Sequence, residues 1–223
     1  MWNSRLFVGL LPWIVFAIVT RAGGLGVRWG SLLSLVVAGV VTAIAIRRGR
    51  PTPVEFAAVA VFIVMLLLVL GNLGMPMRFA RAISMTPLAA LVLLSARRHP
   101  FTIGYTRDFV ALRIAKTDFF HRVNVALSTI WGVVFAVIAV SHATGTLLSG
   151  PFGLSVFHWL VPLTSAMSGG WLTRRIWNEC IDESGMSVAS MVSSLAGTVK
   201  PTATPIVPVT RPFLRLLRGG RAQ

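Results

Sequence analysis

The sequence predicts an all-α protein: a polytopic transmembrane helix bundle of about six spans, with both termini on the cytoplasmic side. Three observations predict it. Hydrophobic residues make up 55% of the 223-residue chain and charged ones only 12%, about half the charged share of a soluble domain. The apolar residues fall into runs of near-bilayer length, and the cations gather in the breaks between them.

The first span lies near residues 3–20, with its apolar core from Leu6 to Thr20 and Trp2 as an interfacial anchor. A cleaved signal peptide is the rival reading, since Arg5 precedes the run and Thr20-Arg21-Ala22 resembles a small-x-small cleavage site. Pro12 and Trp13 interrupt that pattern, and the charge distribution downstream asks for a retained first helix. Four clearer runs follow at Gly30–Ile46, Val54–Leu70, Met77–Leu94 and Asn124–His142. A helix rises 1.5 Å per residue, so roughly 17–19 residues cover about 26–29 Å, close to the hydrocarbon thickness. A sixth run, Phe152–Ser168, carries more hydroxyls and glycines.

Sidedness follows from the breaks. Arg47, Arg48 and Arg50 crowd the second, and Arg97, Arg98, Arg107, Arg113, Lys116 and Arg122 crowd the fourth, a cytoplasmic loop over 95–123. The break from Ala143 to Pro151 has no Lys or Arg and faces out. Arg21, Arg28, Arg78 and Arg81 fall on the outer side against this trend, where long side chains snorkel to headgroups. The transmembrane domain is expected over 1–176, followed by a cytoplasmic basic tail over 177–223 with Pro201, Pro205 and Pro208. Arg211, Phe213, Leu214, Arg215, Leu217 and Arg218 there form a candidate membrane-surface contact, with cations set against an apolar cluster.

The formal charge of +15 comes from 21 Lys and Arg against 6 Asp and Glu. Nucleic acid is excluded as the partner, because the cations form no stripe interleaved with exposed aromatics. The lipid bilayer is the expected partner instead, and a homodimer is consistent with the small-residue pairs Gly39/Ala43 and Gly132/Ala136. Cys180 is the sole cysteine, so neither an intrachain disulfide nor a thiolate metal cluster can form.

Catalytic chemistry has no visible basis, since acidic residues avoid the span centres and His99, Asp108, Asp118 and His121 match no ligand spacing. No cofactor is implied. Two residues are candidates for transport or for packing: His158, the one ionisable group near the middle of a span, and Pro162 one turn later. Pro12, Pro87 and Pro162 leave the carbonyls of Val8, Ile83 and His158 without their usual donors, so kinks are expected there.

Leu11-Pro12 with Phe16 in the first span, and Arg122-Val123-Asn124 leading into a span with Trp131 and Phe135, resemble the bacterial intracellular septation protein A family of small multispanning inner-membrane proteins. The resemblance runs from Leu6 to Trp177. It departs from the family at Leu127, where the family carries a Trp one turn after the Asn, and the tail has no counterpart there. It implies a bacterial inner-membrane location, a role in the envelope or in division through interaction with envelope proteins, and no defined catalytic activity.

Overall fold

The computed structural model describes residues 4–20, 24–49, 51–72, 78–106, 117–148, 150, 153 and 155–183. In order these form α1 (Ser4–Val19), α2 (Gly24–Arg47), α3 (Pro53–Leu70), α4 (Ala80–Ser95), a single turn α5 (Ile103–Thr106), α6 (Asp118–Leu147), a π-helical turn (Val156–Leu160) and α7 (Val161–Glu183). No strand occurs among the described residues. Three helices are long and apolar enough to cross a membrane: Gly26–Arg47, Pro53–Leu70 and Asp118–Leu147. The apolar stretches Phe7–Val19 and Ala80–Ser95 are shorter. This is the architecture of a membrane protein.

The helix ends follow from local chemistry. Thr52 and Pro53 open α3, and the Thr52 N–H donates to Glu55 Oε2 at 2.6 Å, so the carboxylate satisfies a donor that the first turn cannot. Its last turn ends at Gly71, followed by Asn72 in the left-handed region at φ 53°, a conformation that Asn adopts more readily than bulkier residues. Gly49, at φ 65°, ends the turn after α2. Thr117 caps α6 by accepting the Phe120 N–H at 3.2 Å, and Asp118 adds negative charge to the first turn.

Two boundaries differ from expectation for a physical reason. The helix expected from Gly30 begins at Gly24 and takes in Arg28, which was expected in the connection before it. A Cβ on Gly26 would lie 2.7 Å from the Val19 carbonyl oxygen, so only glycine lets α1 and α2 meet this closely. The helix expected over Asn124–His142 instead runs 30 residues, extended by its polar capped first turn and by a last turn that packs on the π-helical turn.

The chain divides into two compact units, residues 1–169 and 170–223. In the first, α4 packs on α6, and α2 packs on both α1 and α3. Their shared core holds Trp13, Phe16, Phe62 and Met65, all at most 2% exposed. The Phe62 ring centroid lies 5.7 Å from that of Trp13 and 5.4 Å from that of Phe16, in tilted arrangements. The Trp13 indole N–H donates to the Ser84 carbonyl at 3.0 Å, tying α1 to α4. Gly132 sets the α4–α6 approach: a Cβ there would fall 2.7 Å from Leu93 Cγ. Gly39 has nothing within 4 Å of the same construction, so of the two small-residue pairs only Gly132/Ala136 lies at a helix contact within the described residues.

In the second unit α7 continues to Glu183, past the composition change at Trp177. Arg175 Nε lies 3.2 Å from Glu179 Oε1 one turn later, and its guanidinium sits 5.4 Å from the Trp171 ring centroid, which supports the extra turns. The candidate surface residues Arg211, Phe213, Leu214, Arg215, Leu217 and Arg218 lie outside the described residues.

Candidate functional site

Two polar clusters sit at opposite ends of the first unit. At the end where α3 begins, the segment after α4 turns inward. Phe101, Thr102 and Tyr105, within the loop expected to be cytoplasmic, are each 4% exposed. The reason lies in hydrogen bonding. Thr102 Oγ1 donates to the Asn124 carbonyl at 3.0 Å and lies 3.0 Å from Ser128 Oγ, while Thr106 Oγ1 donates to Asn124 Oδ1 at 2.8 Å. Asn124 completes its own set by donating Nδ2–H to the Phe120 carbonyl at 2.9 Å, which makes a fully buried amide affordable. The Tyr105 hydroxyl lies 3.1 Å from Thr52 Oγ1, and a Cβ on Gly9 would come within 2.8 Å of it. Thr42 Oγ1 donates to the Glu55 carbonyl at 3.2 Å. The α5 turn thus ties the start of α3 to α6 and abuts α1 at Gly9. Every polar side chain in this cluster has a partner, so its chemistry is structural.

The other cluster forms where α1 ends and α4 begins, and it contains His158. The π-helical turn bearing His158 directly precedes Pro162, and the Val161 N–H donates to the Val156 carbonyl five residues back. This is how the chain absorbs the missing donor of Pro162: it widens one turn upstream. The Ser141 hydroxyl donates to the Phe157 carbonyl at 2.6 Å, holding that turn against α6. Pro162 itself is half-buried within its helix.

His158 Nδ1 lies 3.0 Å from Arg81 Nη1. Arg81 was expected to snorkel outward. It turns into the bundle instead, because it finds acceptors there: its Nε donates to Thr20 Oγ1 at 2.9 Å, and its guanidinium lies 5.8 Å from the Trp159 ring centroid. A guanidinium only donates, so His158 Nδ1 accepts, and the neutral ring carries its proton on Nε2. The His142 ring stands beside it, with centroids 5.3 Å apart and planes inclined by 52°. Gly145, one turn after His142, makes room: a Cβ there would fall 2.7 Å from His158 Nε2 and 2.9 Å from Phe157 Cβ. Two nitrogens in this cluster, His142 Nδ1 and His158 Nε2, are buried without a hydrogen-bond partner.

Known proteins add nothing to this geometry. No family model, curated protein or solved structure matches the chain.

Of the two sequence candidates, the structure makes His158 the centre of a cluster and Pro162 the cause of the widened turn that presents it. Reading the sequence missed Arg81, His142, Thr20 and Gly145. The available local signal was His142 followed by Gly145 one turn later; nothing near them in sequence pointed to Arg81, which lies in the span expected over Met77–Leu94. No group of three or more His, Cys, Asp or Glu side chains is close enough to hold a metal ion among the described residues.

Proposed function

We propose that the chain is a noncatalytic integral membrane protein of the bacterial cell envelope, crossing the inner membrane about six times with both termini inside. Its work is to engage envelope or division proteins, or lipids, within the bilayer. The observation that carries the membrane part is the apolar exterior of the three long helices. Leu33, Val36 and Val40 on α2, Ile63, Val64 and Leu67 on α3, and Val133, Val137 and Val140 on α6 are all exposed. Water would not tolerate such a surface, whereas lipid solvates it. Exposed Arg47, Arg48, Arg97, Arg98 and Arg122 near the α5 cluster support a cytoplasmic assignment for that end. The envelope role rests on the resemblance carried by Leu11-Pro12, Asn124, Trp131 and Phe135.

The test is site-specific photocrosslinking in native membranes from Val36, Leu67 and Val140, each replaced by a photoreactive residue, with identification of the adducts. Recurrent capture of division or envelope proteins is the expected result. Adducts confined to lipid and to unrelated abundant membrane proteins would remove the partner role.

One observation favours a second reading, a small transporter or channel. Ionisable side chains buried within a helix bundle commonly line a path for an ion or a polar solute, and the Arg81–His158–His142 cluster stands beside a proline-widened helix. Uptake into proteoliposomes, lost in His158→Ala, would select this reading over the first.

A further inference from the structure

We propose that the exposed arginines around α5 form a collar that binds the headgroups of anionic phospholipids. This rests on the membrane part of the reading above and names one partner within it: a lipid of net negative charge, selected over zwitterionic lipid.

The fold gathers the charges. Arg47 and Arg48 stand at the end of α2, Arg97 and Arg98 just after α4, and Arg122 just past the first turn of α6, and all five are exposed. Hydrogen bonds hold these helix ends together. His121 Nε2 lies 3.2 Å from the Arg97 carbonyl oxygen, which joins the exit of α4 to the entry of α6. Thr52, shortly after Arg48, meets the Tyr105 hydroxyl of α5 at 3.1 Å, and Thr106 of the same turn donates to Asn124, shortly after Arg122, at 2.8 Å. Acids do not cancel the collar. The acidic side chains described in this unit are Glu55 and Asp118. Glu55 is buried with its carboxylate on the Thr52 N–H, so Asp118 is the one exposed acid among the described residues against five arginines. Cations this close to one another raise the local attraction for anions above that of any single arginine.

Depth favours a lipid over a soluble polyanion. With 30 residues, α6 is about 45 Å long, against a hydrocarbon layer of about 30 Å. Its large exposed apolar residues, Val133, Val137, Val140 and Leu147, fall in its second half, so the first turns with Arg122 stand beyond the hydrocarbon, at headgroup level. The other two helix ends repeat the order. Ile44 and Ile46 are exposed beside Arg47, and Leu94, one turn before Arg97 and Arg98, is 83% exposed. A ligand that fits must cover these apolar side chains and neutralise the cations one turn further on. An anionic phospholipid does both, with its acyl chains and its headgroup, whereas a soluble polyanion would leave the leucine and isoleucines bare.

The experiment titrates the full chain, held in dodecyl maltoside, with phosphatidylglycerol or with phosphatidylcholine, and reads the bound lipid by native mass spectrometry. Tighter binding of phosphatidylglycerol, by roughly tenfold or more, is expected. Replacing Arg47, Arg48, Arg97 and Arg98 together by Gln should abolish that preference. Single Arg→Gln changes should weaken phosphatidylglycerol binding by about fivefold each, the ratio that about 1 kcal/mol gives. The fourfold Arg→Lys variant, which keeps the charge, should retain most of the preference. Equal binding of the two lipids by the unmodified chain, a preference that survives the fourfold Gln variant, or a Lys variant that loses as much as the Gln one would each overturn the proposal and leave the membrane reading intact. A chain that stays monodisperse in buffer without detergent would overturn both.

Discussion

Replacing Gly145 with alanine probes the His158 cluster with a single methyl group. The new Cβ would sit 2.7 Å from His158 Nε2 and 2.9 Å from Phe157 Cβ, each about 1 Å inside ordinary contact distance. The imidazole cannot yield alone, because Arg81 Nη1 holds its Nδ1 at 3.0 Å and the Ser141 hydroxyl holds the Phe157 carbonyl at 2.6 Å. Overpacking of this kind costs about 1–3 kcal/mol, and losing an interhelical hydrogen bond in a membrane adds about 0.6–1.7 kcal/mol. Helix propensity returns about 1 kcal/mol when alanine replaces glycine. A net loss on the order of 1–3 kcal/mol remains. Gly39→Ala is the matched control: its Cβ meets nothing within 4 Å, so only the propensity gain of about 1 kcal/mol applies. Equilibrium unfolding in mixed micelles with rising SDS, read by tryptophan fluorescence, measures both. Should Gly145→Ala prove as stable as Gly39→Ala, the close approach of His158 to α6 would be refuted, and the cluster with it.

The α5 cluster yields further expectations. Thr102→Val keeps the shape but leaves Ser128 Oγ and the Asn124 carbonyl short of a partner, so stability should fall by about 1–2 kcal/mol in the same assay. Asn124→Leu should fall further, since it strips the Thr106 hydroxyl and the Phe120 carbonyl at once and forces bulk into a fully buried site. Trp13→Phe retains the ring packing against Phe62 but not the bond to the Ser84 carbonyl, and a loss of about 1 kcal/mol with an unchanged helical spectrum is expected. For sidedness, cysteines at Arg48 and Leu148 in a Cys180→Ser background test the topology, because both positions are exposed whereas Cys180 is buried. An impermeant thiol reagent added to intact cells should label position 148 and spare position 48; the reverse pattern would invert the whole assignment.

Hydropathy alone was enough to reveal an all-helical membrane protein, because runs such as Val61–Leu70 are apolar on every side and call for lipid as solvent. The cap of α3 went unread although Thr52, Pro53 and Glu55 stand in the sequence order of a capping box. What escaped was where polar side chains point. Arg81 was assigned to the headgroups by its position near a helix end, yet Thr20 and His158, distant in sequence, supply acceptors that reverse its direction. Tyr105 and Thr102 look like loop residues by neighbourhood. Only the fold brings Thr52, Asn124 and Ser128 to them and makes burial favourable. Gly26 escaped notice as well, and only the packing of α1 on α2 shows it acting as a spacer.

The latch between Tyr105 and the first helix constrains how the molecule is born. Gly9 leaves the ribosome roughly a hundred residues before Tyr105, an interval of about 5–20 s at ordinary elongation rates. Throughout that delay the first helix has its hairpin neighbour α2 but lacks the group that finally abuts Gly9. The contact between Tyr105 and α1 therefore forms late in synthesis, well after α1 and α2 have left the ribosome.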